Sequence, residues 1–202
     1  MEILIKTELQ MQFREIAEQI RNGAIFIYPT DTIYGIGCNA LNEKAVDKIR
    51  QLKDRQTNPF SIIAPSKEWI TENCLVNKEA KEWLNKLPGP YTLILKLKNK
   101  NAVAKNVNQG EETIGVRIPA HWISGVVQEL CFPIVTTSAN RSGKPFMTSL
   151  EDLDETIEDG VDFIIDEGEK KGRPSKIVNL VEGKIKESKV LVEIDDLQTN
   201  ML

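Results

Sequence analysis

Helical and strand patterns alternate along most of this 202-residue chain, and the alternation restricts it to the α/β class of folds. An amphipathic helix over 9–20 ends near Asn22-Gly23, and a short β-branched and aromatic run follows over 24–28. Further helices are predicted over 45–52, 80–87 and 123–130, and further strands over 60–64, 91–98, 113–118, 133–137, 161–165 and 176–181. Glu182-Gly183 then predicts a hairpin that returns over 184–194. Because a hairpin pairs antiparallel strands, we expect an open α/β fold with a twisted, mixed sheet and flanking helices.

The composition is typical of one soluble domain, which we assign to 1–202, because the chain is 41% hydrophobic and 28% charged. Its net charge of −4 disfavours a protein whose main role is to grip nucleic acid, since such proteins carry a basic face. Cys38, Cys74 and Cys131 lack the close spacing of a zinc site or a disulfide framework. With neither a signal segment nor an apolar run of about 20 residues, the expected location is the cytoplasm, away from membranes.

Three polar clusters are the candidate ligand site. The first is the loop Pro29–Gly37, which follows the strand over 24–28 directly. Open α/β sheets bind ligands at the carboxyl ends of their strands, where this loop would lie. The other two clusters, Lys53-Asp54-Arg55 and Ser138-Ala139-Asn140, also come directly after predicted elements. We therefore expect all three clusters to meet in one cleft.

Several familiar motifs are excluded. The segment Gly35–Ala40 matches the dinucleotide pattern G-x-G-x-x-A, but 29–34 separates it from the strand that its glycines should follow at once. Gly143-Lys144 resembles the end of a phosphate-binding P-loop, yet Pro145 replaces the required Ser or Thr. His121 is the only histidine, so a histidine-rich metal centre is ruled out and a structural or surface role is expected for it.

Cations at the ends of predicted elements remain to be explained. Lys53 and Arg55 close the second helix, where favourable charge at a helix C-terminus would suffice to account for them. Arg117 lies inside a predicted strand, on the face opposite Ile114 and Val116. An arginine on a covered sheet needs an anionic partner. That partner is either an internal carboxylate or a bound carboxylate or phosphate, and the sequence leaves both open.

Taken together, six ordered segments resemble the YrdC-like family over almost the whole chain, from about Leu9 to Leu191. They are Pro29–Gly37, Lys53–Arg55, Pro88–Thr92, Val116–Pro119, Ser138–Gly143 and Pro174–Val178. The resemblance is to the short, single-domain form of the L-threonylcarbamoyladenylate synthases in that family, and it implies a YrdC-like open α/β fold.

The resemblance implies a nucleotidyl transfer. In that family the amine of L-threonine and bicarbonate form a carbamate, whose oxygen attacks the α-phosphate of ATP to give threonylcarbamoyl-AMP and pyrophosphate. No protein nucleophile is needed, so catalysis would rest on positioning the reactants and stabilising charge on the phosphates. Mg²⁺ would arrive with ATP, and no metal centre made of protein ligands is expected.

By the same resemblance, Lys53 and Arg55 are the catalytic, phosphate-holding cations. Further contacts with ATP are expected from Asn58, Thr113, Ser138 and Asn140. Threonine would be held by Thr32, Arg117, Thr136 and Ser175, with Arg117 on its carboxylate. With a ligand as its partner, Arg117→Ala should cripple threonine use and leave the fold nearly intact. The product would pass to the downstream tRNA threonylcarbamoyl transferase machinery, which modifies the adenosine beside the anticodon.

Two departures from the family pattern stand out. Where members commonly carry Lys-Gly-Arg-Pro, this chain has Lys53-Asp54-Arg55-Gln56, and a late arginine of the family is replaced within Val190–Ile194. Two alternatives therefore stay open. One is a catalytically divergent paralogue that acts as an RNA-binding protein through the same concave surface, and the other is a related carbamoyl-transfer enzyme. For the synthase itself, weak RNA binding is a further expectation.

Overall fold

Ten strands form one mixed sheet within residues 1–181 and 184–186, the part of the chain that the computed structural model describes. The strands are β1 (Glu2–Ile5), β2 (Phe26–Tyr28), β3 (Gly35–Gly37), β4 (Ser61–Ile63), β5 (Tyr91–Lys96), β6 (Thr113–Arg117), β7 (Ile134–Ser138), β8 (Phe163–Asp166), β9 (Lys176–Asn179) and β10 (Lys184–Lys186). The helices are α1 (Lys6–Met11), α2 (Phe13–Arg21), α3 (Glu43–Leu52), α4 (Lys67–Asn73), α5 (Lys78–Asn85), α6 (Ile123–Leu130) and α7 (Glu155–Glu158), with a short 3₁₀ turn at Leu150–Asp152.

The order of the strands in space is β1-β8-β2-β3-β7-β4-β6-β5-β9-β10. Strand β7 joins the two halves of the sheet, because it pairs antiparallel with β3 on one side and with β4 on the other. Parallel pairs such as β4 with β6 and β5 with β9 make the sheet mixed, as the sequence predicted. The fold is therefore α/β with flanking helices.

Helices cover both faces of the sheet and divide the core into two clusters. Along β2, Ile27 packs into the cluster that contains residues of α3, α4, α5 and α7, whereas Phe26 and Tyr28 pack with α1, α2 and α6. This alternation follows from the two-residue period of a strand. Each fully buried Ile or Phe side chain in these clusters contributes about 1.5–3 kcal/mol to stability. The described helices include none that is long and apolar enough to cross a membrane.

The sequence prediction was wrong or incomplete at four places. The predicted N-terminal helix is two helices separated at Gln12, whose φ of −105° lies outside the helical range. Strand β1 and helix α4 were not predicted. The loop 29–37 contains strand β3, because Gly35–Gly37 folds back on β2 after a turn. A Cβ at Gly37 would lie 2.2 Å from the carbonyl oxygen of Val135, so the close approach of β7 requires glycine there.

The predicted C-terminal hairpin is confirmed for the residues of β9 and β10. Strands β9 and β10 pair antiparallel, with Lys184 opposite Asn179 and Lys186 opposite Ile177. The remainder of the predicted return strand, up to 194, lies outside the described residues.

Candidate active site

A cavity of about 370 Å³ opens on one face of the sheet, over the half formed by β4, β5, β6, β7 and β9. Its floor is polar because Ser61, Thr92, Arg117 and Thr136 all line it. Each of these residues alternates with an apolar neighbour that belongs to the core on the opposite face, such as Val116 beside Arg117. The same strands therefore supply polar side chains to the floor of the cavity and apolar side chains to the core beneath it.

The three polar clusters meet at this cavity, which confirms the predicted convergence. Thr32 from the first cluster, Arg55 from the second and Ser138 from the third all contribute to its lining. Arg55 also donates a hydrogen bond to the hydroxyl of Thr137 at 3.3 Å, which links the loop after α3 to strand β7. The second and third clusters are in direct contact, because Nζ of Lys53 donates to the carbonyl oxygens of Ser138 and Asn140.

Lys53 lies beneath the wall of the cavity. Its side chain is only 2% exposed, and Nζ donates to the carbonyl oxygens of Ser138 and Asn140 and to Oδ1 of Asn140 at 3.3 Å. Lys53 therefore connects the end of α3 to the loop that follows β7. Burial and, to a smaller extent, the neighbouring charge of Arg55 together lower the pKa of Lys53 to about 7. The predicted contact of Lys53 with phosphate stays a prediction.

The lowered pKa of Lys53 predicts a pH dependence of stability. The unfolded chain, with its ordinary lysine pKa of 10.5, holds the proton between pH 7 and 10.5, while the folded chain loses it, so stability rises with pH in this window. The unfolding free energy of the wild type minus that of Lys53→Met should increase by about 1 kcal/mol from pH 7 to pH 8, because methionine does not titrate. Urea denaturation at the two pH values measures it, and a constant or shrinking difference would contradict the assignment.

Arg55 is a partly buried cation that no carboxylate neutralises among the described residues. One guanidinium nitrogen donates to the carbonyl oxygen of Pro59 at 2.7 Å, and the group lies 5.2 Å from the centre of the Phe60 ring. Its Nε is buried without a hydrogen-bond partner. Burial and the charge of Arg50 both lower the pKa of Arg55. A guanidinium at a cavity wall that has other cations nearby and no carboxylate partner is suited to an anionic ligand.

The anionic partner of Arg117 is an internal carboxylate, that of Asp31, which is one of the two kinds of partner that the sequence left open. It forms a buried ion pair with Asp31, in which the guanidinium and carboxylate are 2.6 Å apart and 8% and 10% exposed. Asp31 also accepts the backbone N–H of Ala120 at 2.9 Å. Burial lowers the pKa of Arg117, and Asp31 opposes that shift. Arg117 nevertheless lines the cavity, and its Nε has no hydrogen-bond partner.

Hydroxyl groups provide most of the remaining polar surface. The hydroxyls of Thr30 and Thr32 are 2.9 Å apart, and those of Thr92 and Ser175 are 2.7 Å apart across neighbouring strands. Ser138 donates to Oδ1 of Asn140 at 2.5 Å. Each hydroxyl can both donate and accept, so the cavity can satisfy carboxylate, hydroxyl and phosphate groups alike.

The structure does not bring Asn58 and Thr113 to the lining of this cavity. Asn58 is exposed, and its backbone carbonyl accepts a hydrogen bond from Arg50. The Thr113 hydroxyl is 3.4 Å from a carboxylate oxygen of Glu111. Their predicted contacts with ATP stay predictions.

The segment 167–175, which we call the strap, passes close to Thr32, because a Cβ on Gly172 would lie 2.0 Å from the backbone oxygen of Thr32. The hydroxyl of Tyr34, which is fully buried, is 2.8 Å from the carbonyl oxygen of Gly168 and accepts the N–H of Glu167. The Glu167 carboxylate accepts hydrogen bonds from Trp122 and Lys170 and lies 2.8 Å from Nε2 of His121, which has the structural role predicted for it. Burial raises the pKa of Glu167, but these three partners outweigh it and lower that pKa to about 2.

Sequence reasoning missed several residues of the site. Ser61 and Thr92 line the cavity, but neither was predicted as a binding residue. Asp31 belongs to the predicted loop 29–37, but its contact with Arg117 was not predicted. The alternation of side chains along β4 would have identified Ser61, because Ile62 points into the core and Ser61 therefore points to the opposite face of the sheet. Asp31 is 86 residues from Arg117 in sequence, so no local pattern joins them.

The fold and this cavity define an α/β protein with a polar site for small anionic ligands, because arginines and hydroxyls line it. The chain belongs to the Sua5/YciO/YrdC family, whose family model, described as telomere recombination, matches residues 18–190.

Solved and curated relatives agree with this assignment. A protein of Methanocaldococcus jannaschii, provisionally named threonylcarbamoyl-AMP synthase, is 43% identical over 84% of this chain and 81% of its own length. The threonylcarbamoyl-AMP synthase of Pyrococcus abyssi is 38% identical over 86% of this chain but only 52% of its own length. The structure of P. abyssi Sua5 with L-threonine has a TM-score of 0.79 at 35% identity, over 91% of this chain and 55% of that one. The chain thus spans about half of the P. abyssi protein.

Proposed function

We propose that this protein is a threonylcarbamoyl-AMP synthase, which converts L-threonine, bicarbonate and ATP into threonylcarbamoyl-AMP and pyrophosphate. The observation that supports it best is the pair of arginines in one cavity, Arg55 and Arg117, each with an unsatisfied Nε–H. A guanidinium fork matches the oxygens of carboxylate and phosphate groups, so two arginines in one cavity suit two anionic reactants. The relatives named for this activity support the same proposal.

The two arginines suggest two subsites. Arg55 and Ser138 would hold the triphosphate, with Lys53, Asn58, Thr113 and Asn140 as the other proposed ATP contacts. Arg117 would bind the carboxylate of threonine, with Thr32, Thr136 and Ser175 around it. The complex of P. abyssi Sua5 with L-threonine supports a threonine subsite in the family. All four proposed threonine ligands line the cavity described above.

The proposed reaction transfers an adenylyl group without a covalent enzyme intermediate. A carbamate oxygen forms a bond to the α-phosphorus, the bond from that phosphorus to the bridging oxygen breaks, and pyrophosphate leaves with the electron pair. Arg55 stabilises the added negative charge, because its guanidinium fork matches phosphate oxygens. Holding both reactants in one cavity removes the entropic cost of their encounter.

Magnesium is proposed to enter with the triphosphate. Within residues 1–181 and 184–186, no group of three or more His, Cys, Asp and Glu side chains could hold a metal. The donor set nevertheless fits Mg²⁺, because neutral oxygens of Ser138 and Asn140 stand at the cavity wall and Mg²⁺ relies on phosphate and water ligands. When bound, the ion neutralises charge on the phosphates.

The proposal extends to location and partners. The location is the cytoplasm, which suits the three free thiols of Cys38, Cys74 and Cys131. The product is a reactive mixed anhydride, and its proposed consumer is the tRNA threonylcarbamoyl transferase machinery. Weak RNA binding near the cavity is part of the same proposal, and the net charge of −4 limits its strength.

The decisive experiment is pyrophosphate release from ATP with Mg²⁺ and bicarbonate, in the presence and absence of L-threonine. We expect release that depends strictly on threonine, together with threonylcarbamoyl-AMP detected by mass spectrometry. Folded protein that releases none would reject the proposal. Carbamoyl phosphate and RNA would then be tested as ligands.

The strap gives a specific prediction for threonine binding. A Cβ on Gly172 would lie 2.0 Å from the backbone oxygen of Thr32, so Gly172→Ala must displace the strap from the threonine subsite. We expect the KM for threonine to rise at least about tenfold, while the KM for ATP changes much less.

The matched control for this prediction is Gly125→Ala in helix α6, where a Cβ meets no atom within 4 Å. That variant should keep both KM values and gain up to about 1 kcal/mol of helix propensity. If the two variants behave alike in the threonine titration, the strap does not shape the subsite.

A further inference from the structure

Arg50 is a buried arginine in the last turn of α3 that the proposed mechanism does not use. Its side chain is 3% exposed, and its guanidinium forms five hydrogen bonds with backbone carbonyl oxygens. The acceptors are Arg55, Asn58, Asn106, which accepts twice, and Val107. Arg50 therefore holds two separate loops together.

The contact with Arg55 runs in both directions. Arg50 donates from Nη1 to the carbonyl oxygen of Arg55 at 3.0 Å, and its own carbonyl accepts the N–H of Arg55 at 2.9 Å. Both guanidinium groups also lie near the Phe60 ring, at 4.3 Å for Arg50 and 5.2 Å for Arg55. The backbone that carries the Arg55 side chain is thus fixed from Arg50 on two sides.

The loop that Arg50 holds contains an unfavourable backbone conformation. Asp54 has a φ of 50°, in the left-handed region where residues other than glycine are uncommon. Packing around Asp54 does little to stabilise this conformation, because the residue is exposed. The carbonyl contacts of Arg50 on either side of Gln56 give this loop a defined shape.

We propose that Arg50 is a positioning residue for the synthase reaction: it fixes the loop 53–60 so that Arg55 meets the triphosphate in a productive geometry. This inference rests on the proposed function. A lysine cannot replace it, because an ammonium group is a point charge that lacks the planar fork needed to reach four carbonyl oxygens.

The test is Arg50→Lys, which keeps the positive charge. We expect the KM for ATP to rise at least about tenfold and the KM for threonine to change less than about twofold. Arg21→Lys is the matched control, since Arg21 also ends a helix beside an aromatic ring, that of Phe132 at 5.8 Å. Equal effects on both KM values, or none on that for ATP, would overturn the inference.

A measurement on the wild type keeps the inference testable if Arg50→Lys does not fold. In NMR spectra of the arginine Nε–H groups, ATP should shift the signal of Arg55 and leave that of Arg50 nearly unchanged. A comparable shift for Arg50 would mean that it touches the nucleotide itself. If the wild type releases no pyrophosphate, the proposed function fails, and calorimetric titration of ATP then decides the role of Arg50: unchanged affinity in Arg50→Lys overturns it.

Discussion

Replacing Arg117 by alanine is expected to abolish threonine-dependent pyrophosphate release and to lower the free energy of unfolding by about 3–5 kcal/mol. The loss of stability follows from the ion pair, because Asp31 would keep a buried carboxylate with only the N–H of Ala120 as a partner. From the sequence we expected this variant to leave the fold nearly intact. The structure corrects that expectation, and urea denaturation measures the effect.

The double variant Arg117→Ala with Asp31→Asn separates the two roles of Arg117. Removing the charge at Asp31 should restore at least about 1 kcal/mol of stability, because the neutral amide still accepts the Ala120 N–H. Activity should stay absent, since the proposed carboxylate ligand is still missing. If activity returns together with stability, Arg117 serves the fold alone and threonine is bound by other groups.

Replacing Arg55 by alanine should lower kcat/KM for ATP by about 10²–10³-fold, which is typical when a donor that stabilises developing charge is removed. The fold should change little, because Arg55 donates only to Pro59 and Thr137 and pairs with no carboxylate among the described residues. Steady-state kinetics at saturating threonine measure the effect.

Lys48→Ala is the control for Arg55→Ala. Lys48 is an exposed cation on the same helix, α3, so the control removes the same charge at a solvated position. It should alter kcat/KM for ATP less than about twofold, because exposed charges are strongly screened. Similar losses in the two variants would show that general electrostatic attraction, rather than contact by Arg55, governs ATP use.

Much of the fold could be predicted because its elements have strong local signals. The apolar spacing of α3, α5 and α6 and the β-branched runs of β2, β6 and β7 match the structure closely. Strand β3 was missed because Gly-Ile-Gly has almost no strand propensity by itself, and only pairing with β2 and β7 makes it a strand. The break at Gln12 has no local signal in the sequence either.

The residues of the site could be predicted where they directly follow a helix or a strand. They could not be predicted where their role depends on contacts with residues distant in sequence. The convergence of the clusters around Thr32, Arg55 and Ser138 followed from their positions after strands and a helix. Arg50, by contrast, lies on the buried side of α3 with Ile49, a position that periodicity assigns to apolar residues. Two of its four carbonyl partners, Asn106 and Val107, lie 56 and 57 residues away in sequence, and no local pattern reveals them.

The place of β7 between β3 and β4 also has a consequence for how the chain folds during synthesis. The edge of β3 that pairs with β7 stays unpaired until Ile134–Ser138 has left the ribosome, and the strap is synthesised later still. Contacts between distant segments close slowly, because the intervening chain must first lose its freedom. We therefore expect nascent chains to depend on shielding of that open edge, and to acquire affinity for threonine only after the strap has been synthesised.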